Sequence, residues 1–245
     1  MYEVIAALSP IFLLITLGAG LRHWAFPKAE FWPLAEQFTY YLLFPAMLIG
    51  KLANADIDQT TLPTIASSAL FMTLLGSLIL YLARNHIAAN AAAFTSVFQG
   101  GIRFNIYIGL ACVTTLYGDA GLVIAAITAA VLIPVVNILC VLNFHFALAT
   151  SQLHWRSLLL AFTRNPLIIG SLVGILLNQT GIGLSPWVAK PVHLLGAAAL
   201  PLGLLAVGVA LDIKALHSAK RELFFSCLVR FLLLPLLLLL ALLHQ

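Results

Sequence analysis

The residues best equipped for chemistry crowd into one apolar run. From Asn90 the chain reads NAAAFTSVFQGGIRFNIYIGLACVTTLYGD, and its middle holds Gln99, Gly100, Gly101, Arg103, Asn105 and Tyr107. An arginine near the centre of a bilayer costs at least about 2.5–3.5 kcal/mol, which is tolerable where it faces a wet cavity or a partner. Its planar fork suits a carboxylate. Adjacent glycines weaken a helix and permit an unwound segment. Arg103 and Asn105 beside a break at Gly100-Gly101 therefore make an anion or carboxylate site. The alternative is that Arg103 pairs with an internal acid, or reaches the interface because its run sits off-centre.

Other polar and helix-disturbing residues could complete such a site. Pro45 and Pro201 lie mid-run, where each removes a backbone hydrogen bond and bends the helix. In lipid a freed carbonyl must be satisfied by protein or by cavity water, so these prolines mark either a central cavity or a packing kink. Pro134 and Asn137 could extend the cavity wall, or form a kink with a packed amide. Asp56 and Asp212 each follow their proline by eleven residues, at span ends, where solvation competes with ion coupling as their role. Asn165-Pro166 reads as a helix start, and Arg230 as a side chain that snorkels to the inner interface. The histidines are scattered without ligand spacing, so neither a metal nor another cofactor is expected. Cys112, Cys140 and Cys227 read as small packing residues. HExxH, GxSxG, paired intramembrane aspartates and a Walker A sequence are all missing, so no enzyme is expected.

These residues sit in a chain of 245 residues that is 62% apolar and 8% charged. A soluble domain carries about 25% charged residues, so soluble enzymes, nucleic-acid binders and disulfide scaffolds are excluded. A span needs about 20 residues. Eight runs qualify: Val4–Leu21, Pro33–Leu52, Leu62–Ala83, Ala88–Leu116, Ala120–Leu142, Leu158–Leu177, Val188–Leu211 and Leu223–Leu243. They are continuous rather than alternating, which favours helices over barrel strands. The first run follows an acidic start with no small-residue cleavage site and reads as a retained span. With the N-terminus outside, Arg22, Lys28, Arg84, Arg156, Arg164, Lys214, Lys220 and Arg221 fall inside, against Lys51 and Lys190 outside. The net charge of +4 is thus a topology signal, and no nucleic-acid partner is expected.

The chain also repeats itself. Shifted by 156 positions, Pro10 meets Pro166, Gly18 meets Gly174, Leu21 meets Leu177, Pro45 meets Pro201, Leu48 meets Leu204, Asp56 meets Asp212 and Ile57 meets Ile213. Five spans separate the starts of the copies, so the copies have opposite orientations. Inverted repeats are a recurring construction of secondary transporters. The expected fold is an all-α polytopic bundle of eight spans. Residues 1–150 form a first five-helix repeat with its crossover helix. Residues 157–245 form a partial second repeat of three helices, with Gln245 aligned to Ala89.

Six segments, SPIFLLITLGAGL, YYLLFPAMLIGKLA, GGIRFNIYIGLACVTTLYG, IPVVNILCV, NPLIIGSLVGILL and GAAALPLGLLAVGVAL, together resemble the auxin efflux carrier family of permeases across the whole chain. The resemblance implies a five-plus-five inverted repeat, two broken helices crossing at the site, and alternating access. It implies small carboxylates as substrates, such as malate, malonate or auxin-like acids, in a bacterial inner membrane. On it, Gly100, Gly101, Arg103 and Asn105 match the first crossover motif. A full-length member would continue through a second crossover helix and a tenth span, so a truncated, non-transporting membrane fragment is the rival expectation. A sodium-coupled organic-anion symporter of related fold is another. H+ or Na+ coupling and a homo-oligomer are both open.

Overall fold

In lipid, each peptide group must find its hydrogen bond within its own segment, which makes the helix the natural outcome of long apolar runs. The structure is a computed structural model that describes residues 2–55, 61–148, 164–212 and 219–243, and every regular element among them is helical. Asp56, Arg156 and Lys214 lie outside the described residues. Four helical stretches are long and apolar enough to cross a membrane: Pro63–Leu82, Ala91–Ala147, Pro186–Ala210 and Lys220–Leu243. The chain has the make-up of an integral membrane protein.

In chain order the helices are α1 (Tyr2–His23), α2 (Phe31–Phe38), α3 (Phe44–Leu52), α4 (Thr61–Leu82), α5 (Arg84–Ile87) and α6 (Ala91–Ile102). They continue with α7 (Ile106–Leu148), α8 (Pro166–Gln179), α9 (Pro186–Ala210), α10 (Lys220–Leu228) and α11 (Leu234–Leu243). At 1.5 Å per residue, the 43 residues of α7 would extend about 65 Å, twice a bilayer core. Gly118 resolves this. Its φ of 65° and ψ of −155° are open to glycine alone, and the turn there separates the fourth and fifth runs.

Two π-helical segments join α2 to α3 (Thr39–Leu43) and α10 to α11 (Val229–Leu233). Each is followed, one residue on, by a proline, Pro45 or Pro235. The N–H of Phe44 reaches back five residues to Thr39, and that of Leu234 reaches Val229. Since proline has no N–H, the carbonyls of Tyr40 and Tyr41, and of Arg230 and Phe231, lose their regular helical donors. Pro134 and Pro201, by contrast, sit inside α7 and α9 without interrupting either helix.

The chain forms two compact units that interleave along the sequence. The first contains α1, α2, α3, the part of α7 up to Ala130, α8 and α9. Helix association in lipid depends on close packing, and small residues allow it here. A Cβ on Gly18 of α1 would strike the Leu205 carbonyl of α9, and one on Gly174 of α8 would lie 2.8 Å from Leu52 Cβ and 3.2 Å from Ile49 Cα of α3. Arg22, at the end of α1, donates from Nη1 to the carbonyls of Val209 (3.0 Å) and Leu211 (2.8 Å) where α9 ends. Asn178, near the end of α8, donates from Nδ2 to the carbonyls of Ala53 (3.5 Å) and Ala55 (2.7 Å) just past α3. Thus α1 and α9 run in the same sense, as do α3 and α8. Gly196 against Met47 and Gly50 against Val192 set α3 and α9 in opposite senses.

The second unit contains α4, α5, α6, the rest of α7, α10 and α11. Its core gathers Leu80, Phe94, Val97, Phe98, Ile102, Val136, Cys140, Val229 and Leu234. Rings of Phe94 and Phe98 meet edge to face at 5.9 Å.

Candidate functional site

α6 begins with Asn90 as its cap, the Oδ1 accepting from Ala93 N at 2.8 Å. It ends where Arg103 turns extended at φ −76°, ψ 129°, its own N–H closing the last turn on the Gln99 carbonyl. Residues 103–105 are non-helical, and α7 starts at Ile106. The break is real but lies beyond the glycine pair that was expected to form it. Gly100 and Gly101 are helical, in the last turn of α6, and serve close packing. A Cβ on Gly100 would lie 2.6 Å from Ser226 Oγ, and one on Gly101 3.1 Å from Val229 Cγ1. A glycine pair loosens a helix only where tertiary contacts do not hold it, and here α10 and its π segment do.

Arg103 is exposed and oriented by two amide oxygens. Nη1 donates to Gln99 Oε1 at 3.3 Å, one turn back, and Nη2 donates to Asn137 Oδ1 at 3.2 Å, on α7 of the same unit. Both bonds are long, and a guanidinium has five N–H donors. Three donors remain, enough for a bidentate grip on a carboxylate. Among the described residues the guanidinium has no carboxylate partner, since Lys51 with Asp119 at 2.6 Å forms the only ion pair there. That removes an internal acid, within the described residues, as the reason for a charge at this point in the chain.

The remaining expected site residues divide between the units. In the second unit, Gln99, Gly100, Gly101, Arg103, Pro134 and Asn137 come together around α6 and the second half of α7, with Pro134 buried in helix one turn before Asn137. Asn105, Tyr107, Pro45 and Pro201 belong to the first. Asn105 caps α7, its Oδ1 accepting from Tyr107 N (3.0 Å) and Ile108 N (3.2 Å). The Tyr107 ring packs at 4.9 Å from that of Phe44 and lies against Gly203. Pro45 touches Gly170 of α8, and Pro201 is exposed on α9. Tyr107 thus packs within the first unit, to which both repeat prolines also belong.

Two residues with specific partners, Arg22 and Asn178, carried little signal in the sequence. Arg22 was legible only as one more inner charge, and Asn178 not at all. Asn143 is buried at 4% exposure with neither amide atom hydrogen-bonded. Arg230 lies ten residues past Lys220 in a continuous 24-residue helix, about 15 Å from its start. No protein-family model matches the chain, and no curated protein does.

Proposed function

We propose that this chain is a secondary carrier of small organic anions, carboxylates such as malate, malonate or auxin-like acids, that works by alternating access as in the auxin efflux carriers its sequence resembles. The observation that carries this is Arg103. It is a cation in a non-helical link of a long apolar stretch, exposed, held by the neutral oxygens of Gln99 and Asn137, and left with unused donors. An environment that orients a guanidinium without neutralising it favours an incoming anion.

The same reading gives the chain an inverted repeat, and recurring contacts support it. Shifted by 156 positions, Arg22 becomes Asn178, while Val209 and Leu211 become Ala53 and Ala55 on the reverse shift. The two donor side chains thus serve corresponding pairs of carbonyls. By the same shift the approach of Gly18 to Leu205 becomes that of Gly174 to Ile49. The helix senses also fit. With α1 parallel to α9, α3 parallel to α8 and α3 opposed to α9, each repeat helix runs against its mate. Inverted repeats of this kind suit a site reached alternately from both sides. An N-terminus outside a bacterial inner membrane completes the proposal, on the charge asymmetry of the loops.

Flux into proteoliposomes tests it. The chain should take up one or more labelled mono- or dicarboxylates, and Arg103→Gln should abolish that uptake while the protein stays folded. A folded wild-type chain that moves no carboxylate, or an Arg103→Gln variant with unchanged uptake, would refute the proposal.

A further inference from the structure

A second arginine of the same unit has, among the described residues, no carboxylate partner. Arg230 is half-buried inside the π segment Val229–Leu233, and among the described residues its guanidinium has no hydrogen bond and no carboxylate. It lies about 15 Å along its helix from Lys220, with thirteen more residues up to and including Leu243. A cation in so apolar a helix is costly, and nothing among the described residues offsets it.

Its position relative to Arg103 follows from the packing of α6. Ser226 Oγ lies 3.3 Å from the Val97 carbonyl, Gly100 faces Ser226, and Gly101 faces Val229. α6 and the α10–π segment therefore run side by side in the same sense, and this register puts Arg230 level with the end of α6, where Arg103 leaves the helix. Four residues after Ser226, Arg230 falls on the helix side that meets α6. The widened turn around it is the kind of helix defect that gathers at functional sites.

We propose that Arg230 is a second anion-binding residue, and that with Arg103 it selects doubly charged over singly charged carboxylates. This rests on the carrier reading given above. One carboxylate of a short dianion meets the Arg103 fork, and the other meets Arg230. A monoanion uses Arg103 alone, so Arg230 sets specificity.

The test uses the full chain in proteoliposomes with labelled malonate as the dianion and propionate as the monoanion. Protection of the detergent-solubilised protein against heat by each acid serves as a readout independent of flux. Arg230→Gln should weaken malonate, in KM and in thermal protection, by about 10- to 100-fold, the loss expected for a charge-assisted contact. Propionate should change less than about twofold on the same logic, and Arg230→Lys should recover much of the malonate preference. If Arg230→Gln does not fold, the Arg230→Lys comparison and a salt titration of malonate protection in the wild type decide. Protection of the wild type by malonate no more salt-sensitive than that by propionate, with Arg230→Lys weakening both acids alike, overturns the proposal. Equal effects of Arg230→Gln on both acids, or none, also overturn it while Arg103→Gln still abolishes uptake of both. Binding that depends on Arg230 without any flux would support the site and sink the carrier instead.

Discussion

Replacing Gly18 and Gly174 by alanine tests the helix contacts that support the proposed inverted repeat. At Gly18 the new Cβ would meet backbone, 3.0 Å from the Leu205 carbonyl carbon and 3.1 Å from its Cα. At Gly174 it would meet Leu52 Cβ at 2.8 Å and Ile49 Cα at 3.2 Å. Carbon atoms prefer about 3.5–4.0 Å, so each helix pair must separate by about 0.5–1 Å, enough to forfeit a quarter to a half of the dispersion attraction along the contact. Overpacking of this kind costs about 1–3 kcal/mol. Alanine returns about 0.5–1 kcal/mol of helix propensity, leaving a net loss of about 1–2 kcal/mol at each site. The contacts join different helix pairs, so the double variant should lose about 2–4 kcal/mol, additive within about 0.5 kcal/mol. Gly109→Ala is the control, because nothing lies within 4 Å of a Cβ there; it should be neutral or gain about 0.5 kcal/mol. Reversible unfolding in mixed micelles, followed by circular dichroism, supplies the free energies. Should Gly18→Ala or Gly174→Ala prove as stable as Gly109→Ala, the packing of α1 on α9 or of α8 on α3 is wrong, and the repeat loses its main support.

Arg22→Leu and Asn178→Leu should each cost about 1 kcal/mol in the same assay, and the double variant their sum, because each leaves a pair of terminal carbonyls to water. Asn143→Leu should raise stability by about 1–2 kcal/mol, since it removes a buried amide that bonds to nothing and fills the same space. Gly118→Ala should cost about 1–3 kcal/mol from backbone strain alone, because the position combines a φ of 65° with open space around the Cβ. A Gly118→Ala chain as stable as the native one would show that α7 does not turn there.

Hydropathy and length were enough to mark where the helices run. The second run, Pro33–Leu52, coincides with α2, its π segment and α3, while the seventh, Val188–Leu211, is α9 within a residue or two. Arg103 was legible as a cation that needs a wet cavity, a partner or the interface, and Asn137 as either cavity wall or packed amide. Local propensity misjudged the break, because glycine weakens a helix in isolation while Gly100 and Gly101 are held by Ser226 and Val229 from a helix more than 120 residues away. Identity also hid that Arg22 and Asn178, which the proposed repeat pairs, are both donors to carbonyls at a helix end. Composition and period are properties of neighbouring residues, so the chain alone marks which stretches are apolar and helical. Which carbonyl meets Arg22, 187 residues away, depends on how those helices come to lie against one another. Only the folded arrangement decides that, because close packing between helices in lipid answers to shape and small residues, and leaves no periodic trace in either partner.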